Sequence, residues 1–313
     1  MRISVVTPLY RSAPYIEELH RRAVAAIKAT GASEHEIVFV NDCGPDDSLE
    51  IAKRIAATDP GVVVVDLSRN FGQHRAILAG LAQSTGDLVF VMDSDLEEEP
   101  EWITMFHEAM QARSVDVVYG VQEAKKRGSF YRMARRSFYF LLNSLSDFSF
   151  PENVVTARLM SRRYVDALMQ FREREVYLAG IWHVAGFSQM PVLVKKLDSS
   201  PTTYTLSKAA GLFVNAVTAF STKPLVAISV AGIGLSLVAF VFTVWIILRK
   251  LVWGIAVEGW TSVMALMLII GGLTLFFNGI MAIYIAKIFV EVKQRPRAII
   301  REIRRGGDKS QIP

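Results

Sequence analysis

Gly86-Asp87-Leu88-Val89-Phe90-Val91-Met92-Asp93-Ser94-Asp95-Leu96-Glu97-Glu98-Glu99-Pro100 is the stretch on which the reading of the fold turns. Leu88 to Val91 is a short apolar run opened by Gly86-Asp87 and closed by acids, the pattern of a buried strand. Strands of that kind belong to parallel sheets, and such sheets take ligands at the C-terminal ends of their strands. Asp93 and Asp95 leave the strand at that edge. Two aspartates one residue apart there can hold a hard divalent cation against a diphosphate. An Asp-x-Asp pair is common on surfaces, so the neighbouring signals decide.

Working outward, residues 1 to about 120 alternate strand and helix. Ile3 to Thr7 reads as a strand stopped by Pro8, Pro14 to Thr30 as an amphipathic helix, and Glu36 to Val40 as a second strand. A helix over Asp47 to Ala57, a strand over Val62 to Asp66, a helix over Gln73 to Gln83 and a strand over Leu88 to Met92 follow. This alternation predicts an α/β, Rossmann-like, mostly parallel sheet with helices on both faces. Thr7 to Tyr10, Asn41 to Gly44, Ser68 to Gly72 and Asp93 to Asp95 then share one edge, where chemistry belongs. Neither a Gly-x-Gly-x-x-Gly turn nor a Walker A lysine motif follows any strand, which argues against a nicotinamide or P-loop site.

The other end of the chain has a different character. The 313 residues are 51% hydrophobic, with a mean hydropathy of +0.30, and the excess is C-terminal. Residues 224–248 and 259–286 contain no charge, and about 20 such residues suffice to cross a bilayer. Two transmembrane helices are therefore expected within 223–287, followed by a basic tail over 288–313. Gly232, Gly234, Gly271 and Gly272 suit close packing of these helices on each other or on a partner subunit. Segments at about 130–145 and 204–221 read as amphipathic helices at the membrane interface. Lys223, Lys287, Lys293, Arg295, Arg297, Arg301, Arg304, Arg305 and Lys309 flank the spans, outnumbering Arg249 and Lys250 in the expected connecting loop. By the positive-inside rule the N-terminal domain (1–222) and both termini are cytoplasmic. No secretory signal pattern opens the sequence. The net charge of +5 suits anionic headgroups rather than nucleic acid, because the basic residues gather at the membrane end. The single cysteine, Cys43, excludes an internal disulfide and fits a reducing compartment.

Several segments together resemble a GT-A glycosyltransferase of family 2, in the polyprenyl-phosphate branch. They are Val6-Thr7-Pro8-Leu9-Tyr10, Val40 to Ser48, Ser68-Arg69-Asn70-Phe71-Gly72, Gly86-Asp87, Met92 to Leu96 and Ser221-Thr222-Lys223-Pro224-Leu225. The resemblance covers most of the chain. It implies an inverting transferase that moves a sugar from a nucleotide-sugar donor, UDP-linked, to undecaprenyl phosphate at a bacterial inner membrane. It further implies homo-oligomers assembled through the spans. Asp42 would accept the imide N–H of the base, Pro8 and Tyr10 would wall the base, and Asp93 would face the ribose or the metal. Asp95 would hold Mg²⁺ or Mn²⁺, with Glu97 in the place of a frequent metal-contacting glutamine. Catalysis would rest on Asp93, Asp95 and two arginines, Arg127 and Arg158, that contact the acceptor phosphate. Arg132, Arg135 and Arg136 form a basic face that suits lipid headgroups equally well.

Two positions depart from the family pattern. Thr156 stands where relatives carry an aspartate, a candidate base. A hydroxyl acceptor would need that base, whereas a phosphate monoester, with a second pKa near 6, needs placement more than deprotonation. Cys43 replaces a residue that is usually glycine. Glu98, Glu99 and Glu101 read as solvated acids at a helix N-terminus. Two other readings compete: a transferase adding sugar to a hydroxyl of a lipid-linked saccharide, and a non-catalytic membrane scaffold of the same fold.

Overall fold

The computed structural model describes residues 1–122, 144, 153–174, 176–197, 218, 221–253 and 259–307. Its first elements are β1 (Arg2–Leu9), α1 (Ile16–Ala29), β2 (Glu34–Asn41), α2 (Ser48–Thr58), β3 (Val62–Leu67), α3 (Gln73–Leu81) and β4 (Leu88–Val91). They are followed by α4 (Trp102–Arg113), β5 (Val117–Gln122), β6 (Val154–Ser161), α5 (Arg162–Gln170), α6 (Leu178–Val184) and β7 (Gln189–Val194). The described C-terminal elements are α7 (Lys223–Trp253), α8 (Trp260–Val292) and β8 (Ile300–Arg305). One sheet takes the order β7-β5-β6-β4-β1-β2-β3-β8. The pairs β1–β2, β1–β4, β2–β3 and β5–β7 are parallel, while β4–β6, β5–β6 and β3–β8 are antiparallel. The expected fold class, a mostly parallel α/β sheet with two long apolar helices after it, is what the chain adopts.

The central strands are apolar on both faces because helices cover both. Ile3, Val5, Ile37, Phe39, Val64 and Phe90 are buried with Leu19, Ala23 and Ile103 from the helices. On another face α3 lies very close to β1 and β2. A Cβ added at Gly80 would stand 2.4 Å from Val6 Cγ1 and 2.7 Å from Val40 Cγ2. Only glycine lets the helix approach that far.

β1 does not stop at Pro8. It runs to Leu9, with Pro8 opposite Val40. The Val6 carbonyl accepts from Met92 N and the Leu9 carbonyl from Asp42 N. Successive backbone groups alternate sides, so Pro8, like Val6, faces β4. The β1–β4 ladder ends at Val6, and the missing N–H of Pro8 therefore costs no ladder bond.

The chain divides into two compact units, one of 1–133, 150–203 and 295–313 and another of 134–149 and 204–294. In the second unit, Lys223–Arg249 and Leu266–Val292 are helical segments long and apolar enough to cross a membrane, with mean hydropathies of 2.5 and 2.2 and no buried share. At about 1.5 Å per residue, segments of 27 residues exceed a hydrocarbon layer of about 30 Å. Such exposed apolar surface calls for lipid, and the protein is membrane-associated. Tyr284 Oη donates to the Ser221 carbonyl at 3.0 Å, tying α8 to the start of α7.

Three expectations need correction here. Arg249 and Lys250 belong to α7, not to a loop, because the helix continues to Trp253. The basic stretch from 288 is no loose tail: α8 extends to Val292 and Ile300–Arg305 form an edge strand on β3. Among the described residues nothing lies within 4 Å of a Cβ built at Gly232, Gly234, Gly271 or Gly272, so these glycines do not mediate contact between the two helices. The segments at 130–145 and 204–221 fall, apart from Ser144, Thr218 and Ser221, outside the described residues, as do Arg127, Arg132, Arg135 and Arg136.

Candidate active site

Sheet register brings the site together. β4 pairs with β6 through Val91 and Arg158. Two residues further along each strand, Asp93 faces Thr156, whose Oγ1 donates to Asp93 Oδ2 at 3.1 Å. Gln73 Nε2, at the start of α3, donates to the other oxygen at 2.5 Å. After Asp93 the backbone must turn sharply, and Leu96 takes a left-handed φ of +58°. The turn returns Glu98 beneath the strand ends. There it accepts from Asp93 N at 3.1 Å and Thr156 N at 2.9 Å.

Glu98 corrects the sequence reading. It is 0% exposed, so it is no solvated acid; two strand-end amides and Lys196 satisfy its charge, which a buried carboxylate requires. Glu101 does meet solvent, paired with Arg22 at 2.5 Å. Lys196, just past β7, sits among the acids: Nζ is 3.2 Å from Glu98 Oε1, 3.7 Å from Asp93 Oδ2 and 4.0 Å from Glu97 Oε2. Burial opposes its charge, but Glu98 and Asp93 outweigh burial and raise its pKa. Burial, then the Glu98 charge, push the Asp93 carboxyl up to about 7, against the pull of Lys196. Asp95 is exposed, and its Oδ1 accepts from Glu97 N at 3.1 Å.

Asp93, Asp95 and Glu97 thus lie along one turn. Among the described residues no three His, Cys, Asp or Glu side chains converge closely enough to cage an ion. That fits Mg²⁺ or Mn²⁺ bound to a diphosphate, which needs one or two carboxylates and draws its remaining oxygens from the ligand and water. An ammonium already resting among these carboxylates marks the place as one that attracts cations. The donor set suits the ion.

The neighbouring strand exits form the rest of the edge. Asp42 is buried, and Phe71 N and Gly72 N donate to its two oxygens at 2.7 and 2.9 Å. Burial raises its pKa and these amides partly offset the shift. Its carboxylate therefore closes the 68–72 loop onto β2, with one lone pair left on each oxygen. Pro8 is buried in β1, while Tyr10 is 50% exposed beside Arg11. Cys43 has a φ of +53°, which accounts for glycine being usual there. Ser12 Oγ and Ser94 Oγ, 2.6 Å apart, join the β1 exit to the acidic turn. A cavity of about 240 Å³ opens beside the start of α3, lined by Phe71, Gly72, Gln73, His74, Arg75 and Val176.

Arg158 is not a surface phosphate ligand in this arrangement. It is 2% exposed, its guanidinium lies over the Trp182 ring at 3.0 Å from the centroid, and Nε donates to the Thr156 carbonyl at 3.4 Å. Burial lowers its pKa to about 9. Trp182 is its stacking partner. Its own indole N–H is buried without a partner among the described residues. Sequence reasoning missed Gln73, Glu98 and Lys196 as site residues. Only Gln73 carried a signal, as the first residue of the helix after the Ser68–Gly72 strand exit.

An acidic turn at the C-terminal edge of parallel strands is the plan of GT-A enzymes. Residues 4–169 match glycosyl transferase family 2, and the chain belongs to that family. A Mycobacterium tuberculosis protein named among glycosyltransferases is 41% identical over 97% of this chain and 88% of its own. The prophage bactoprenol glucosyl transferase homolog of Escherichia coli is 32% identical over 97% of this chain and 100% of its own. The undecaprenyl-phosphate 4-deoxy-4-formamido-L-arabinose transferase of Sodalis glossinidius is 31% identical over 96% and 93%. The protein is a glycosyltransferase.

Proposed function

We propose that this enzyme transfers a sugar from a nucleotide-sugar donor, UDP-linked, to the phosphate of a polyprenyl phosphate such as undecaprenyl phosphate, with inversion at the sugar. The observation that carries the acceptor is the Asp93–Thr156 pairing. A threonine, which cannot act as a base near neutrality, occupies the position opposite the catalytic acid. The names of the Escherichia coli and Sodalis relatives, similar along almost their whole length, support the same acceptor class.

In this reading an oxygen of the acceptor phosphate attacks the anomeric carbon. The bond from that carbon to the donor's diphosphate breaks, and the diphosphate leaves with the electron pair. A phosphate dianion brings no proton to remove, so Thr156 suffices where a hydroxyl acceptor would need a carboxylate. Asp93 and Asp95, with Glu97, would hold Mg²⁺ or Mn²⁺, which stabilises the charge gathering on the leaving diphosphate. Tyr10 offers its exposed ring to the base, Asp42 fixes the loop beside it, and Gln73 and Thr156 orient Asp93. Arg158 acts from behind, keeping positive charge under Thr156. Arg127 is the remaining candidate for the acceptor phosphate. The catalytic unit lies on the cytoplasmic side, where nucleotide sugars are made.

The test is transfer from a panel of nucleotide sugars to undecaprenyl phosphate, followed by mass measurement of the lipid product. One added hexose on the phosphate is the expected result. Acceptance only by saccharide-bearing lipids would overturn the acceptor. Asp95→Asn should lower transfer by at least about 100-fold while leaving membrane insertion intact; full turnover at saturating metal would remove Asp95 from its role.

A further inference from the structure

The carboxylates assigned to a divalent cation already face a positive charge. Of the three ion-pair contacts of Lys196 Nζ among the described residues, the one to Glu98 is of hydrogen-bond length, 3.2 Å, whereas those to Asp93 and Glu97 are 3.7 and 4.0 Å. Glu98 is itself fixed, since Asp93 N, past the end of β4, and Thr156 N, near the start of β6, both occupy it. The ammonium is therefore moored to the wall of the site and merely faces the two candidate metal ligands. Its flexible four-carbon stem lets it turn without leaving that mooring. An ammonium and a divalent ion cannot both face Asp93 and Glu97 at about 4 Å without strong mutual repulsion. A diphosphate removes the conflict by bringing enough negative charge for both.

We propose that Lys196 is a resident counter-ion that competes with the divalent cation for Asp93 and Glu97 and turns to the donor's diphosphate when nucleotide and cation arrive together. This rests on the donor-site reading above. It makes cation binding weak in the free enzyme and cooperative with nucleotide, a coupling that must hold in both directions. It also gives Glu98 a reason to be buried and charged: it keeps Lys196 inside the site in both states.

The experiment measures free Mn²⁺ by electron paramagnetic resonance during titration of the full-length protein in detergent, with and without UDP. Lys196→Gln can still donate to Glu98 and so leaves that buried carboxylate partnered; Lys196→Met is a second neutral variant, and Lys196→Arg keeps the charge. Without UDP, both neutral variants should bind Mn²⁺ about ten-fold more tightly than wild type, and the enhancement by UDP should shrink by a similar factor. Lys196→Arg should bind as wild type does. Equal Mn²⁺ affinity in the neutral variants and wild type, or equal tightening in Lys196→Arg, overturns the proposal. A wild-type protein that binds no Mn²⁺ even with UDP gives a different result, removing the cation reading itself.

Discussion

Asp93 is held by four groups at once: Gln73 and Thr156 donate to its carboxylate, Lys196 faces it, and its own N–H is spent on Glu98. Its carboxyl titrates near 7 instead of near 4. The folded state therefore binds a proton in a pH range where the unfolded chain has already released it. The metal-free protein loses stability from this group as pH rises from about 4 to about 7, and the penalty is complete above that. Asp93→Asn removes the titration while keeping an acceptor for Thr156. In metal-free buffer it should melt higher than wild type at pH 8, with the gap closing toward pH 4; thermal denaturation at both ends checks it. A gap that is constant with pH would mean that Asp93 is not held protonated. Asp93 and Asp95 were legible in sequence because a strand exit announces itself. Glu98 was not, since an acid after a strand looks the same whether the chain turns out or folds under. Lys196 lies about a hundred positions away and reaches the acids only after β7 joins the sheet beside β5. Arg158 was legible as a cation but not as a buried one, because its cover, Trp182, comes from a different element.

At the scale of elements, the alternation of β1 through β4 was readable because parallel strands and amphipathic helices have different periods. Its refinements were not, because they depend on neighbours. Pro8 continues β1 only because β4 is short. β8 was read as tail because Ile300–Arg305 alternates apolar and charged residues, which also suits a basic stretch at a membrane. Pairing with β3 gives its arginines a structural role. Arg301 donates to Asp66 Oδ2 at 3.1 Å and to the Ser68 carbonyl at 2.9 Å. Asp66 in turn accepts from Asn41 at 2.8 Å, next to Asp42. Arg301→Ala would leave the buried Asp66 with one donor fewer, at a cost of about 1–2 kcal/mol. It should also weaken donor binding, read by nucleotide titration, since the 66–72 segment carries the loop that Asp42 holds. On the other side of β2, Gly80→Ala forces a methyl into Val6 and Val40 and should destabilise by about 1–3 kcal/mol, lowering the melting temperature.

The whole molecule is constrained by one pairing. β8 follows α8, yet it pairs with β3, which precedes α7. Residues before the first apolar helix and after the second therefore lie on the same side of any membrane, so the crossings between them must be even in number. Two helices long enough to span supply that number. The side is then set by charge. Lys223 at the start of the first helix, and Lys293, Arg295, Arg297 and Arg301 after the second, belong to the flanks that share a side, against Arg249 and Lys250 at the far end of α7. On the positive-inside rule we propose that those flanks, and the sheet with them, face the cytoplasm. The chain carries its own reporter, because Cys43 is its one cysteine and is exposed. A membrane-impermeant maleimide should leave Cys43 unlabelled in intact cells and label it in inside-out vesicles. Labelling of intact cells would put the catalytic sheet on the side that lacks nucleotide sugars, and the proposed donor would have to be abandoned along with the orientation.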